Sequence, residues 1–325
     1  MKKLSQLLTL LLLLFSTATY AQDYAKVDNI ISAYPASFKS VDALAEKISA
    51  DFTSDEDKAR AIFTWIATNV KYDMEAYNSR QAPAGFSYRT PEEKEIKLRK
   101  MREDLALKTL KTKKGVCEGY STLYERLAHK TGLEAEIIPG TSKSHPTHIG
   151  KQPGASDHAW NAVKINGKWQ LIDVTWGAGT VVGEKPVFQF RFNDSYFLTE
   201  PKDFVINHYP DDEKWLLSKE LTKADFADTP LYYSNYLMGG YEFASPGVGT
   251  FTNKMANVVP FKIKNLKPTD KVAYTFSKDR VFKEVNPRKN GDMAEFEVQL
   301  PPNSNGYLTV FINQRSVAAY RINRN

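Results

Sequence analysis

The chain has 325 residues, of which 42% are hydrophobic and 12% aromatic, and it carries 44 Lys and Arg against 38 Asp and Glu. This composition excludes a disordered or low-complexity chain, and the length permits two domains with separate cores. The net charge of +6 is small, and the basic residues are spread among acidic ones. Since no nucleic-acid-binding motif accompanies it, we expect no nucleic-acid partner.

Residues 1–21 have the three zones of a secretory signal peptide. Lys2 and Lys3 precede a leucine-rich run from Leu7 to Phe15, and small residues lead to Ala21. An uncleaved anchor is the alternative, but the run is shorter than the about 20 residues that a spanning helix needs. No cysteine stands at the cleavage point for lipid attachment. We therefore expect a mature chain from near Gln22, periplasmic or secreted, with no stable membrane insertion.

Helices dominate the first part of the mature chain. Val41 to Phe52 predicts a short helix, and Ser54-Asp55-Glu56-Asp57 is a capping box that starts a second one reaching Lys71. Trp65 in the second helix has two interpretations, core packing or the wall of a cleft. Asn78 to Tyr88 is predicted to be a surface loop.

A third helix is predicted from Thr90-Pro91-Glu92-Glu93, which supplies a cap, a first-turn proline and acids, to Lys114. Its many charges and thin apolar stripe are typical of a solvated helix face. The alternative is a cover or a substrate-facing helix beside the cysteine that follows it.

Cys117 is the only cysteine of the chain, and it follows Gly115 at the predicted start of a helix that ends at Gly132. In an exported chain this cysteine has no intramolecular disulfide partner, so it is interpreted as a thiol. The unpaired amides of a helix N-terminus lower a thiol pKa and favour a nucleophile. A small buried hydrophobe is the alternative interpretation.

A strand is predicted at Glu134 to Pro139, and a loop rich in Ser, Gly and Pro follows it. His145 and His148 lie in this loop three residues apart. A metal pair there lacks nearby Cys, Asp or Glu ligands, so we predict no metal site.

A β-hairpin is predicted around Asn166-Gly167, because these residue types accept the positive φ angles of a tight turn. If Ile165 pairs with Lys168, then Trp160 faces Asp173 and His158 faces Thr175. His158 and Asp173 are then diagonal neighbours on one face, with backbones about 7–8 Å apart, which their side chains can span. A slip of one residue would put them on opposite faces.

Cys117, His158 and Asp173 together supply the groups of a nucleophilic triad. The thiol attacks, the histidine takes its proton, and the carboxylate orients the imidazole. The backbone amide of Cys117 is one expected oxyanion donor. A second donor is not identified, and Trp65 and Tyr72 are the residues considered to lie near the oxyanion.

The chain after Asp173 is less informative about chemistry. Phe188, Phe190 and Phe192 alternate as in a strand, and His208 is interpreted as structural. From about Asp225, short β-rich runs separated by turn clusters predict a small antiparallel sandwich. Five strands are expected there, at Val258 to Ile263, Val272 to Phe276, Ala294 to Leu300, Tyr307 to Ile312 and Val317 to Ile322.

The motifs around the three residues resemble the transglutaminase-like superfamily. The segments are Gly115-Val116-Cys117-Glu118-Gly119-Tyr120-Ser121, Asp157-His158-Ala159-Trp160-Asn161 through Lys168-Trp169, and Leu171-Ile172-Asp173-Val174-Thr175-Trp176. Trp65-Ile66 to Tyr72-Asp73 and His208-Tyr209-Pro210 to Trp215-Leu216-Leu217 resemble, more narrowly, bacterial relatives of the kyphoscoliosis peptidase. The resemblance covers about Ser54 to Leu217 and does not extend to the β-rich C-terminal part.

This resemblance implies an α+β, papain-like core in which a helix bearing Cys117 packs on an antiparallel sheet bearing His158 and Asp173. It also implies acyl transfer through a thioester to water or an amine. No acidic loop with calcium-ligand spacing appears, so no cofactor or metal is expected. Ala162 is a departure, because relatives often carry glutamate there, and the change is expected to affect substrate contacts but not the triad.

The sequence thus predicts a signal peptide at 1–21, a transglutaminase-like domain at 22–224 with its core at about 54–217, and an immunoglobulin-like β-sandwich at 225–325. The first functional hypothesis is an exported cysteine peptidase or amidase acting on protein or cell-envelope peptide. The alternatives are a protein-glutamine transamidase and a non-catalytic module that binds the envelope.

Overall fold

The computed structural model describes residues 24–79, 86–183, 185–218, 221–279 and 281–324. The predicted signal peptide at 1–21 lies outside these residues. The described part is an α+β structure in which a helical layer packs on a four-stranded antiparallel sheet, followed by an all-β region with a four-stranded and a six-stranded sheet. None of the described helices combines the length and hydropathy that a membrane crossing requires.

The helices of the described residues are α1 Ala25–Ser32, α2 Val41–Asp51, α3 Asp55–Asn69, α4 Met74–Ser79, α5 Pro91–Thr112, α6 Cys117–Lys130, α7 Val174–Ala178, α8 Pro201–Phe204, α9 Lys223–Asp228 and α10 Ser234–Gly239. The strands of the first part are β1 Lys71–Tyr72, β2 Lys114–Gly115, β3 Ala135–Ser142, β4 His158–Ile165, β5 Lys168–Ile172, β6 Gly179–Val182, β7 Val187–Phe190 and β8 His208–Pro210. The strands of the second part are β9 Leu231–Tyr232, β10 Glu242–Ser245, β11 Thr250–Thr252, β12 Val258–Lys264, β13 Val272–Phe276, β14 Lys283–Val285, β15 Arg288–Asn290, β16 Met293–Gln299, β17 Asn305–Ile312 and β18 Arg315–Asn323.

The predicted helix starts are confirmed by their caps. The Ser54 hydroxyl accepts a hydrogen bond from the Asp57 amide at 3.1 Å, and the Thr90 hydroxyl accepts one from the Glu93 amide at 3.1 Å. Helix α5 ends two residues before the predicted Lys114, because Lys113 turns into the left-handed region at φ 53°. The predicted loop at Asn78 to Tyr88 begins later than expected, since α4 includes Ser79, and its residues 80–85 lie outside the described part.

The core of the first part lies between helices α3 and α6 and the sheet with strand order β5-β4-β3-β8. One face of α6 packs into this core, since five of its side chains are fully buried, namely Tyr120, Leu123, Tyr124, Leu127 and Ala128. Trp65 belongs to this core, and its indole donates to the Pro35 carbonyl at 3.1 Å. Of its two interpretations, core packing is therefore correct.

Helix α5 is solvated along much of its length, as expected. Ile96 of its apolar stripe is 63% exposed. Its buried residues, Ala106, Thr109 and Leu110, are confined to the C-terminal half, where α5 packs on α6. The helix thus supports the start of the cysteine helix rather than covering the cleft.

The hairpin register is confirmed, with Ile165 opposite Lys168 and positive φ at both turn residues, 50° for Asn166 and 78° for Gly167. The second strand is shorter than predicted. The ladder stops at the pair Asn161 and Ile172, so the predicted pairs Trp160–Asp173 and His158–Thr175 do not form. The physical reason is that Asp173 caps helix α7 and turns the chain away from the sheet.

The all-β region contains a four-stranded sheet, β10-β12-β16-β15, and a six-stranded sheet that includes β18, β17 and β13. The five predicted strands are confirmed within two residues at each end. The prediction of a wholly antiparallel sandwich is wrong at one strand, because β11 pairs with β18 in parallel. The domain division at residue 225 stays a prediction. Helix α9 spans this point, and its Phe226 packs with Val205, Tyr209 and Leu216 of the first part.

Candidate active site

Cys117 is the first residue of helix α6, as predicted, and its free thiol is partly exposed. The chain reaches it through β2, which pairs in parallel with β1, so that Tyr72 lies opposite Gly115. The backbone amides of Lys71 and Asp73 donate to the carbonyls of Lys113 and Gly115, both at 2.9 Å. The thiol thus stands beside the unpaired amides of a helix start that is held on its N-terminal side by a short β-ladder.

The start of α6 depends on a close approach to α5 at Gly119. A Cβ atom at position 119 would lie 2.8 Å from the Thr109 hydroxyl oxygen, closer than such atoms normally approach. A Cβ at Gly115 would lie 3.3 Å from the Thr109 methyl carbon. Glycine at position 119 therefore lets the two helices pack closely two residues beyond the nucleophile.

His158 and Asp173 form a buried hydrogen-bonded pair. The Nε2 atom of His158 lies 2.8 Å from Oδ2 of Asp173. The other carboxylate oxygen, Oδ1, accepts from the Trp176 amide at 3.0 Å as the cap of α7. The sequence argument brought the two side chains together correctly, although the contact arises at a helix cap and not across a continuous ladder.

The Cys117 side chain also interacts with His158 and contributes to raising the pKa of the imidazole. Since Nε2 is bonded to Asp173, Nδ1 is the ring nitrogen that is left for the thiol. Burial by itself would lower the pKa of His158, but the charge and hydrogen bond of Asp173, with the interaction of Cys117, raise it to about 10. Burial would raise the pKa of Asp173, yet His158 and His208 hold it below its ordinary range. These directions favour an imidazolium beside a carboxylate. All three predicted site residues are therefore brought together.

A fourth side chain, which the sequence argument treated as structural, reaches the same carboxylate. His208 on strand β8 places its Nε2 atom 2.9 Å from Oδ2 of Asp173. It is separated from Asp173 by 35 residues and reaches the site because β8 pairs with β3 in the sheet. The sequence signal was the His208-Tyr209-Pro210 motif, but its pairing partner could not be read from local pattern.

Asn161 joins the histidine strand to the cysteine helix. This fully buried residue on β4 donates to the Ser121 carbonyl of α6 at 3.0 Å and to the Glu136 carbonyl of β3 at 3.2 Å. His158 lies three residues before it and Cys117 four residues before Ser121. The amide thus fixes the two elements that carry His158 and Cys117. The neighbouring Ala162 is fully buried, and its expected effect on substrate contacts stays a prediction.

A cleft of about 610 Å³ opens beside His158. Its lining includes three segments, namely Tyr72 to Asn78, the β6–β7 hairpin and residues 231–234 at the start of the all-β region, as well as single residues such as Ser142, Asp157 and Trp176. Strand β9 in the third segment pairs with β18, with Tyr232 opposite Ala318. One wall of the cleft is therefore continuous with the C-terminal sheet.

Two buried polar side chains hold this wall in place. Asn207 donates to the Lys143 carbonyl at 2.7 Å and to the Tyr232 carbonyl at 2.9 Å. The Lys143 ammonium donates to the Thr229 carbonyl at 2.8 Å and to the Phe226 carbonyl. Burial lowers the pKa of Lys143 to about 7. These contacts fasten residues 226–232 to the loop after β3.

The donor atoms of His158, Asp173 and His208 lie within 4.8 Å of one another, the spacing of a possible metal site. Each of the two imidazoles is already hydrogen-bonded to the carboxylate, and the geometry suits that arrangement without an ion. His145 and His148 make local contacts instead: Nδ1 of His145 accepts from the Thr147 amide at 3.2 Å, and Nδ1 of His148 from the Ser144 amide at 3.3 Å. The absence of a metal cofactor stays a prediction.

Of the two side chains considered near the oxyanion, Tyr72 remains a candidate for the second donor and Trp65 does not. The indole N–H of Trp65 already donates a hydrogen bond to the Pro35 carbonyl. Tyr72 lines the cleft, and the Cys117 charge contributes to raising its pKa, after burial. The raised pKa keeps the Tyr72 hydroxyl neutral and able to donate a hydrogen bond, so Tyr72 is the candidate that remains.

Residues 42–174 match the family model of the transglutaminase-like superfamily. This part of the chain belongs to that superfamily. The chain is 33% identical over 195 residues to the kyphoscoliosis peptidase of Mus musculus, a similarity that covers 59% of the chain and 27% of the mouse protein. The chain thus spans about a quarter of that relative's length.

Two further proteins are similar to this chain. The Lim and transglutaminase domain protein ltd-1 of Caenorhabditis elegans is 27% identical over 306 residues, covering 85% of the chain and 39% of the worm protein. An alignment over 85% of 325 residues must enter the all-β region, whereas the match to the superfamily model ends at residue 174, before that region. A solved structure of a TGase has 22% identity and a TM-score of 0.30, covering 57% of this chain and 40% of its own.

Proposed function

We propose that the protein is an exported cysteine acyl-transfer enzyme that uses Cys117, His158 and Asp173 and acts as a peptidase or amidase on protein or cell-envelope peptide. The observation that carries the proposal is the buried His158–Asp173 pair, at 2.8 Å, together with the interaction between His158 and the Cys117 side chain. Membership of the transglutaminase-like superfamily supports the same chemistry.

The reaction follows from the direction of the pKa shifts. The raised pKa of His158 favours a proton on the imidazole, and we propose that the Cys117 sulfur reacts as the thiolate paired with this imidazolium. The thiolate attacks an acyl carbon, and the oxyanion is received by the Cys117 amide and the Tyr72 hydroxyl. His158 then gives its proton to the leaving amine, which leaves a thioester on Cys117. Water or a second amine, deprotonated by His158, attacks the thioester and restores the thiol.

The cleft supports a polypeptide substrate. Its described lining includes aromatic rings such as Tyr72, Trp176 and Tyr233, and no Lys or Arg is among the described lining residues. The one carboxylate among those lining residues is Asp157, beside His158. A neutral or basic peptide is therefore favoured over a polyanionic envelope polymer, since no lining cation would compensate its charge.

Export rests on the sequence of residues 1–21, and we propose a periplasmic or secreted protein on that basis. The non-catalytic hypothesis relied on the C-terminal region as a separate binding module. The joint wall formed by residues 231–234 argues for a shared substrate site instead. An immunoglobulin-like fold for this region remains part of the proposal.

The acyl-transfer chemistry is tested with p-nitrophenyl acetate, an activated acyl donor that needs no specific recognition. We expect release of nitrophenolate together with an acetyl group on Cys117, seen by intact mass spectrometry. Cys117→Ala should form no adduct. A wild-type protein that forms no adduct above the level of Cys117→Ala would overturn the proposal.

Casein and a fluorescent primary amine then separate the two acceptors. Thiol-dependent fragments without incorporated amine indicate a peptidase, whereas amine incorporation into casein indicates a transamidase. The joint wall also predicts that truncation after residue 224 impairs turnover of casein more than acetylation by the small ester.

A further inference from the structure

His208 and His158 share a single oxygen of Asp173. Their Nε2 atoms lie 2.9 Å and 2.8 Å from the same Oδ2 atom. His208 is buried, stacked on Phe204 with ring centroids 4.2 Å apart and packed against Trp176 at 4.4 Å. This packing leaves the His208 ring little freedom to turn away from the carboxylate.

The hydrogen positions of His208 follow from its neighbours. An ionised carboxylate carries no hydrogen, so a hydrogen bond at 2.9 Å requires that Nε2 of His208 be the donor. Its Nδ1 atom lies 3.2 Å from the Phe204 carbonyl, which is also an acceptor. The contact with the charged carboxylate is the stronger of the two, so the hydrogen of a neutral ring belongs on Nε2. Asp173 therefore receives two imidazole N–H groups on Oδ2 and the Trp176 amide on Oδ1.

We propose that His208 is a positioning residue that keeps the shared proton of the His158–Asp173 pair on His158. A fully buried ion pair competes with a neutral pair in which the carboxyl group holds the proton, because burial penalises charge. A second donor on the same oxygen stabilises the carboxylate form. The imidazolium of His158, and with it the Cys117 thiolate, is favoured as a result. This inference depends on the proposed function.

The surroundings of His208 support a role through Asp173 alone. The titratable side chains facing it in the described residues are Asp173, His158 and Tyr196, and the other contacts are the rings of Trp160, Trp176 and Phe204. Burial raises the pKa of Tyr196 and keeps it neutral. Burial has the opposite effect on His208, whose pKa it lowers, and the hydrogen bond to Asp173 opposes that shift. A change at His208 therefore reaches the thiol through Asp173 and His158.

Two amide variants separate the donor function from mere packing. The amide nitrogen of His208→Gln reaches the position of Nε2, whereas that of His208→Asn reaches only the position of Nδ1. The readout is the rate of iodoacetamide alkylation against pH, which reports Cys117 because it is the only cysteine. For His208→Asn we expect about a tenfold slower reaction at pH 6 and a thiol midpoint about one pH unit higher, because one charge-assisted hydrogen bond is lost. The rate above pH 10 should not change, and His208→Gln should stay within about twofold of wild type.

Superimposable profiles for His208→Asn and wild type would overturn the inference. Equal loss in both variants at every pH would also overturn it, since it would indicate a packing role only. Nitrogen-15 histidine NMR of the wild-type protein gives a test that needs no variant. We expect a hydrogen on Nε2 of both His158 and His208 at pH 7, and an unprotonated His208 Nε2 would contradict the inference. If the wild-type thiol reactivity does not depend on His158, the proposed function fails instead.

Discussion

The close approach of α5 and α6 predicts that Gly119→Ala disturbs the nucleophile helix. The new Cβ atom would stand 2.8 Å from the Thr109 hydroxyl oxygen, and Thr109 is buried, so either its side chain or the helix has to shift. Because position 119 is two residues from Cys117, relief of this contact by helix movement displaces the thiol. Lower thiol reactivity should therefore accompany lower stability.

The magnitude is a balance of two effects. Overpacking of this kind costs about 1–3 kcal/mol, whereas alanine in a helix is favoured over glycine by about 1 kcal/mol. We therefore expect Gly119→Ala to lower the free energy of unfolding by about 1 kcal/mol. Thr109→Ala removes the atoms that clash. The free energy of unfolding of the double variant should exceed the value expected from adding the two single changes by about 1–3 kcal/mol.

The assay combines urea unfolding with the rate of Cys117 alkylation at pH 7. Gly154→Ala is the matched control, because no atom lies within 4 Å of its added Cβ, and it should stay within about 0.5 kcal/mol of wild type. The reasoning is refuted if Gly119→Ala keeps the wild-type stability and alkylation rate. It is also refuted if Thr109→Ala and Gly119→Ala are strictly additive.

Three further predictions follow from buried polar contacts. Asn161→Asp replaces two donated hydrogen bonds by repulsion from the Ser121 and Glu136 carbonyls. The free energy of unfolding measured in urea should therefore fall by about 2–4 kcal/mol. An unchanged free energy of unfolding would contradict the proposed link between β4 and α6. Asn207→Asp should weaken the joint cleft wall, measured as a higher KM for casein with little change in p-nitrophenyl acetate turnover; equal effects on both substrates would count against it. His158 has a raised pKa in the folded state, so its contribution to stability is complete below about pH 6.5 and is lost as pH rises through about 10. Urea midpoints across this range should fall more steeply for wild type than for His158→Ala, and parallel curves would refute the assigned direction.

Local patterns in the sequence predicted the elements that carry the triad. Asn166 and Gly167 specified the hairpin register, and the cap residues Ser54 and Thr90 specified two helix starts. The glycine before Cys117 indicated a helix start at the correct residue. These features depend on a few neighbouring residues, which is why sequence alone was sufficient.

The errors came from competition between local signals. The run from Lys168 to Trp176 has the residue types of a strand, but Asp173 is also a good helix cap. The side-chain bond to the Trp176 amide decides in favour of the cap, and this ends the strand at Ile172. The predicted triad contact survived because the cap leaves Oδ2 of Asp173 pointing at His158.

The non-local parts of the site were beyond the sequence argument. His208 reaches Asp173 through strand order in the sheet, and Tyr232 reaches the cleft because β9 joins the C-terminal sheet. Neither position follows from periodicity or spacing, since strand order is set by packing of the whole core. The cleft wall and the second imidazole therefore required the structure.

The central claim is that His158 activates the Cys117 thiol, and the pH dependence of iodoacetamide alkylation tests it most directly. For wild type we predict reaction well below the ordinary thiol pKa of about 8.5, with a plateau toward neutral pH. For His158→Ala we predict that this plateau disappears and that the rate follows an ordinary thiol. Identical profiles for the two proteins, both titrating near about pH 8.5, would contradict the claim.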